Sequence, residues 1–170
     1  MLLKWIGGIL IIFGSTAVGF KIASNYRKEE KYMEQLITLL NYMECELKCR
    51  LTALPDLCYK VSAEAEGAFK KLFSTLANEL ENQISPDVYS CMLAAMSRCT
   101  HIPERIQICL QKLGKSLGKF DIDGQIRGLE AVRKECEYML NGLRLNKDER
   151  LRSYQTLGIC AGAGIAILFI

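Results

Sequence analysis

One short segment contains residue types that could bind a phosphate. Gly114, Lys115 and Ser116 are consecutive, and a Gly-Lys-Ser triplet ends the phosphate-binding loop of many nucleotide hydrolases. That loop also needs a glycine five residues before its Gly-Lys pair, because the backbone must wrap around the phosphates. Here that position is Cys109, and the residues between are good helix formers. The triplet is therefore interpreted as part of a helix, and not as a nucleotide site.

Cysteines are the second group that could do chemistry. There are eight, at positions 45, 49, 58, 91, 99, 109, 136 and 160. Cys45, Cys49, Cys99 and His101, the only histidine, could be combined on paper into a zinc site, but the spacing matches no zinc module. Most of the others occupy or adjoin apolar positions, where reduced cysteines act as small hydrophobic residues. We expect a reduced, cytoplasmic domain with no metal site and no cofactor.

The remaining polar residues do not form a recognisable catalytic set. Glu44 and Glu46 are two residues apart on a predicted helix, so their side chains do not face each other. His101 precedes Pro103 in a predicted turn, where polar residues are common. No nucleophile, base and orienting partner can be assigned together. The sequence therefore predicts that the chain is not an enzyme.

The elements that position these residues are predicted to be helical throughout. Apolar residues recur every three or four positions, which indicates one buried helix face per segment. The predicted core faces are Met33, Leu36, Leu40, Met43, Leu47 and Leu51; Phe69, Leu72, Phe73, Leu76 and Leu80; Ile106, Leu110, Leu113 and Leu117; and Ile122, Ile126, Leu129, Val132, Cys136, Met139 or Leu140, and Leu143. No segment shows the alternation of a strand. Predicted breaks lie at Thr52–Pro55, Gly67, Ser85–Asp87, Pro103 and Gly118.

Both ends of the chain have the composition of membrane spans. Residues 2–23 are mostly apolar and carry only two charged side chains, Lys4 and Lys21, near the ends, and about 20 apolar residues cross a bilayer as a helix. Residues 154–170 carry no charged side chain. Within them, Gly158 and Gly162 form a small-residue pair suited to close helix packing in lipid. The fold class is therefore predicted to be all-α: an antiparallel bundle of about six helices, its first and last helices continued by transmembrane helices.

Two alternatives to membrane spans remain open. The first segment could be a cleaved signal peptide, because Ser15, Thr16 and Ala17 fit a cleavage site. The second could be a buried core helix, because from Thr156 onward it gives roughly 22 Å of helix against about 30 Å of hydrocarbon.

The charge distribution predicts the orientation of the domain between the spans, residues 24–153. All 19 acidic residues and every basic residue except two lie in this segment. Basic residues flank both spans on this side, so the positive-inside rule predicts a cytoplasmic bundle. Acidic and basic residues nearly balance here, which does not suggest a nucleic-acid-binding protein.

The segment around the Gly-Lys-Ser triplet is predicted to be a structural corner that also contacts a partner. Gly114 and Gly118 lie on one helix face, and glycine inside a helix costs about 1 kcal/mol relative to alanine. Close approach of another backbone would offset that cost. The predicted contact residues are Gly114, Leu117, Gly118, Asp121 and Gln125.

The order of these features resembles the stage III sporulation protein AB family of endospore-forming bacteria. The match rests on an apolar first span ending Gly19-Phe20, a long helix with the stretch Met43–Leu47, the Leu-Gly-Lys-Ser-Leu-Gly corner followed by Asp121 and Gln125, and a short last span beginning Leu157-Gly158. It covers essentially the whole chain. The family usually has Thr-Pro-Leu where this chain has Thr52-Ala53-Leu54, so the local turn differs.

The resemblance implies a role that composition alone does not. The family is similar to the cytoplasmic domain of protein F of type II secretion platforms. For this chain, the resemblance implies a non-enzymatic platform subunit of a channel between mother cell and forespore. The subunit would lie in the mother-cell membrane around the forespore. Its implied partners are a secretion-type ATPase, stage III sporulation protein AA, and the other channel proteins of the same operon. Apart from the resemblance, the apolar ends predict contact with membrane lipid, and a homo-oligomer is a possible further assembly. The alternative is a membrane-tethered regulatory or adaptor protein that binds another cytosolic partner.

Overall fold

The computed structural model describes residues 2–82, 87–99, 102–118 and 121–145, with side chains from residue 24 onward. Six helices account for most of this part of the chain: α1 Leu2–Arg50, α2 Leu54–Glu64, α3 Gly67–Glu81, α4 Val88–Ser97, α5 Glu104–Ser116 and α6 Ile122–Leu145. The described residues contain no strand. The predicted all-α class and the number of helices are confirmed.

Residues 31–140 form one compact unit with its own core, and the described residues outside them belong to a second unit. Helices α2 to α5 pack in chain order, each against the next. The core centres on Phe69 of α3, which makes an edge-on contact with Tyr32 of α1 at 5.6 Å between ring centroids and lies 6.5 Å from Phe73. Because such rings bury large apolar areas, they fix α1 against α3.

The helix boundaries follow local sequence signals. Asp87 precedes α4 and its Oδ1 accepts a hydrogen bond from the Ser90 backbone N at 2.6 Å. Asp121 does the same for α6, accepting from the Gly124 backbone N at 3.0 Å. Both satisfy an N–H group that the first helical turn leaves free. The predicted break at Ser85–Asp87 falls at the start of α4, where Asp87 is the capping residue; Ser85 and Pro86 lie outside the described residues.

The predicted core faces are confirmed with two exceptions at the ends of helices. Leu51 is 65% exposed and Ile122 is 40% exposed, although both continue an apolar helix face in the sequence. Leu51 follows the last residue of α1 with a positive φ of 50°, which turns its side chain away from the helix face that the spacing assigns to it. Ile122 is the first residue of α6, and its side chain lies open at that end of the helix.

The predicted membrane spans are not settled by the structure. The backbone of residues 2–23 is the first part of α1, but their side chains lie outside the description, as do residues 154–170 with Gly158 and Gly162. In the part whose side chains are described, no helix combines the length and apolar character needed to cross a membrane.

Candidate interaction surface

The Gly-Lys-Ser triplet lies in the last turn of α5, as predicted, and packs against α4. Gly114 is buried, and a Cβ atom there would lie 2.9 Å from Met92 Cβ and 3.3 Å from Tyr89 Cα. The Lys115 ammonium lies 5.1 Å from the centre of the Tyr89 ring. Ser116 Oγ donates a hydrogen bond to a carbonyl of its own helix. These contacts hold two helices together and leave no cradle for a phosphate.

The end of α5 is also built for packing. Leu117 is fully buried. Gly118 has φ 76°, a conformation that L-residues rarely adopt, and a Cβ atom there would lie 2.4 Å from Val88 Cγ2. The same kind of contact joins α5 to α6, where a Cβ on Gly128 would lie 2.6 Å from Ser116 Cβ. Sequence reasoning missed Gly128, although a glycine inside a predicted helix is a signal for such an approach.

The five residues of the predicted corner therefore lie close in the chain but have different roles. Gly114 and Leu117 are buried, and Gly118, although exposed, packs on Val88, so these three serve packing within the bundle. Asp121 is exposed and caps α6, and the Gln125 backbone N donates to the Asp121 carbonyl at 2.9 Å. Of these five residues, only Asp121 and the half-buried Gln125 present side chains that a partner could contact. The prediction of one contact surface spanning all five is not tested by this geometry.

A groove lies beside this corner, where α1 ends and α6 begins. We call it the α1–α6 groove. Its volume is about 360 Å³, and its lining residues are Leu47, Lys48, Leu51, Ile122, Asp123, Ile126, Arg127 and Glu130. The two apolar residues that the structure exposes contrary to expectation, Leu51 and Ile122, both line it. Four of its eight lining residues are apolar and four are charged, so the groove presents both kinds of side chain to a partner.

Ion pairs fix α1 beneath the groove. Lys48 pairs with Glu130 of α6 at 3.1 Å and with Glu44 of its own helix. Arg133 of α6 also lies 3.4 Å from Glu44. The hydrogen bond from Lys48 lowers the pKa of Glu44, and the reciprocal contact raises the pKa of Lys48. These charged side chains therefore tie α1 to α6.

A second set of bonds fixes the turn that carries Leu51. Glu46 Oε2 accepts hydrogen bonds from Lys60 Nζ at 2.7 Å and from Thr52 Oγ1 at 3.2 Å, and Arg50 lies 3.3 Å from Glu46 Oε1. The bond from Lys60 is the main cause that lowers the pKa of Glu46. Since Glu46 and Glu44 point to different partners, they do not form a catalytic pair.

The cysteines of the described part are free thiols. Among those residues no group of three or more His, Cys, Asp or Glu side chains is arranged to hold a metal ion. His101 and Cys160 lie outside the described residues. Cys45 and Cys49 are exposed one turn apart on α1, and a hydrogen bond between them raises the pKa of Cys45. Burial raises the pKa of Cys58 to about 12.

Thiol labelling should separate these environments. With N-ethylmaleimide at pH 8, we expect Cys45 and Cys49 to react in the native protein, because they are exposed. We expect Cys58 to react only after unfolding, because it is buried and at this pH holds almost no thiolate. Peptide mass spectrometry before and after addition of urea would measure the extent of labelling at each of these cysteines. Labelling of native Cys58 as fast as Cys45 would contradict the packing of α2.

Comparisons with known proteins agree with this fold. The family model of stage III sporulation protein AB matches residues 4–170. A solved structure of a stage III sporulation protein AB superposes with a TM-score of 0.63 at 15% sequence identity, covering 72% of this chain and 98% of that one. At that identity the likeness shows the fold alone. The search of curated proteins gave no match. Because the family model spans nearly the whole sequence, from the first apolar segment to the last, the chain belongs to the stage III sporulation protein AB family.

Proposed function

We propose that the protein is a non-enzymatic platform subunit of the channel complex between mother cell and forespore, anchored in the mother-cell membrane around the forespore. The family match carries this proposal, because it covers the bundle and both apolar ends together. Family membership supports a role in sporulation; the platform role extends it through the likeness to protein F of type II secretion.

The membrane anchor is part of the proposal. A spanning segment must satisfy all its backbone hydrogen bonds internally, as a helix does. The backbone of residues 2–23 is helical and continues without a break into the bundle as α1, which supports a span there. Residues 154–170 would form the second span, with Gly158 and Gly162 packing against a neighbouring helix. The bundle then faces the cytoplasm.

The bundle would link the secretion-type ATPase, stage III sporulation protein AA, to the membrane assembly. Its described surface offers two features suited to protein contacts: the exposed capping turn of α6 and the α1–α6 groove. A rigid bundle that continues into a membrane helix can transmit a displacement of its cytosolic partner to the membrane. This needs no catalytic activity of the bundle. We assign the ATPase contact to the capping turn, at Asp121 and Gln125.

Capture of the purified ATPase by the full-length chain in mild detergent tests the role. We expect saturable binding by the wild type and weaker binding by Asp121→Ala and Gln125→Ala. The control variant is Glu104→Ala, which removes an exposed acidic residue from the opposite end of α5. Gly118→Leu is unsuitable, because its side chain would clash with Val88.

Circular dichroism must accompany each variant, since loss of the Asp121 cap itself costs about 1 kcal/mol of stability. Binding lost in folded Asp121→Ala but kept in Glu104→Ala supports the capping turn as the contact. Binding kept by all variants would remove the capping turn from the proposal. If the wild type does not bind the ATPase but captures a different cytosolic protein from sporulating cells, the adaptor alternative replaces the platform role.

A further inference from the structure

Leu51 combines two features that are unfavourable in an isolated bundle. It adopts φ 50° directly after α1, a left-handed conformation in which helix-ending residues are usually glycine. Its side chain is also 65% exposed. A non-glycine residue held in a strained conformation is a reason to look for a function. The bonds of Glu46 to Thr52 and Lys60 hold this turn in place, so the position of Leu51 is built into the fold.

The groove next to Leu51 can receive a side chain of the same kind. Ile122 lies open at its edge, and Leu47 and Ile126 line it from α1 and α6. The exposed Leu51 and a groove that carries apolar side chains thus occupy one face of the molecule. A single patch that carries both the inserting group and its receptor can pair with itself around a two-fold axis, because each copy then gives and receives the same contact.

The charges at the edge of the groove have the same self-complementary pattern. Asp123 and Arg127 lie one turn apart on α6, and both are exposed. Neither side chain makes a hydrogen bond or an ion pair with another described residue. When two copies of α6 run antiparallel across a two-fold axis near residue 125, Asp123 of one faces Arg127 of the other. A surface that binds an acidic partner is expected to be mainly basic, and one that binds a basic partner mainly acidic. This surface carries one charge of each sign.

We propose that the α1–α6 groove is the contact between two copies of this chain, with Leu51 of each copy inserted into the groove of the other and Asp123 paired with Arg127 of the second copy. The contact is small, and anchoring both copies in one membrane would raise their effective concentration. This inference goes beyond the platform role and does not depend on the ATPase, since the surface is defined by the bundle alone.

Charge reversal within one chain tests the pairing. Full-length protein in density-matched detergent would be compared by sedimentation equilibrium as wild type, Asp123→Arg, Arg127→Asp and the double variant. In a two-fold contact each single change puts like charges opposite each other twice, so we expect the dimer to weaken by about tenfold or more. The double variant restores opposite charges, and we expect its dissociation constant to return to within about threefold of wild type.

Replacement of Leu51 tests the apolar part and separates it from folding. Leu51→Gly removes the inserted side chain but relieves the left-handed backbone. We expect a higher urea midpoint together with a dimer weakened by about tenfold or more, a combination that a merely structural role would not give. Leu93→Ala, which trims another exposed leucine on α4, should leave the dimer unchanged.

Three results would overturn the proposal. Double-reversal protein that dimerises as weakly as the single variants would exclude the ion pairs. Dimerisation that survives every change in the bundle but is lost in Gly158→Leu would place self-association in the second predicted span. Leu51→Gly protein that still dimerises but no longer captures the ATPase would assign the groove to that partner.

Discussion

The Gly118→Ala variant is expected to lower the free energy of unfolding of the bundle by about 2–5 kcal/mol, although it adds only one methyl group. Two costs combine. An L-residue at φ 76° is strained, which costs about 1–2 kcal/mol. The new Cβ would also lie 2.4 Å from Val88 Cγ2, and overpacking typically costs about 1–3 kcal/mol. Valine has a stiff χ1 angle, so α4 itself must move. Urea unfolding followed by circular dichroism would measure the loss.

Gly67→Ala is the matched control. Gly67 also has a positive φ, 58°, but a Cβ atom there would meet nothing within 4 Å. The same substitution therefore adds strain without a clash, and we expect a loss of about 1–2 kcal/mol. The difference between the two variants isolates the packing of α5 on α4. Equal losses of unfolding free energy in the two variants would show that Val88 moves aside at no cost. Gly118 would then be required only for its positive φ angle.

The helices and most of the core could be predicted because the determining signals are local. A three-to-four residue spacing fixes which face of a helix is buried, and Pro55, Asp87 and Gly118 mark where helices begin or end. These signals act within one or two turns and do not depend on which helices become neighbours. The Gly-Lys-Ser triplet was assigned to a helix on the same basis, from the residues that precede it.

The interaction surface could not be predicted in this way, because it depends on contacts between distant segments. Spacing places Leu51 and Ile122 on buried faces, but a periodic pattern does not say whether a neighbour covers the end of a helix. The structure leaves both open in one groove. Local rules that fail together at one place often mark a functional surface. Gly114 and Gly118 are the opposite case. Their spacing stands out in the sequence, but the structure uses both glycines for packing within the bundle.

The second large effect is expected from Arg98→Met, which should lower the free energy of unfolding by about 2–3 kcal/mol. Glu79 of α3 is only 1% exposed, and Arg98 at the end of α4 places Nη2 2.8 Å from its Oε1. Among the described residues neither carboxylate oxygen has a partner with hydrogen-bond geometry, so the charge of Arg98 is the main compensation available. The loss falls below the roughly 3–5 kcal/mol of a fully buried pair because Arg98 itself is exposed to water.

Arg50→Met provides the comparison for an exposed cation whose carboxylate has other partners. Arg50 lies 3.3 Å from Glu46, but Glu46 keeps its bonds to Lys60 and Thr52, so we expect a loss below about 1 kcal/mol. Combining Glu79→Leu with Arg98→Met removes the buried charge together with its partner. Replacing both members of such a pair by apolar residues is often neutral or stabilising, so the double variant should recover most of the loss. A double variant that is less stable than Arg98→Met alone would contradict this account. It would mean that Glu79 makes a favourable contact with a group other than Arg98.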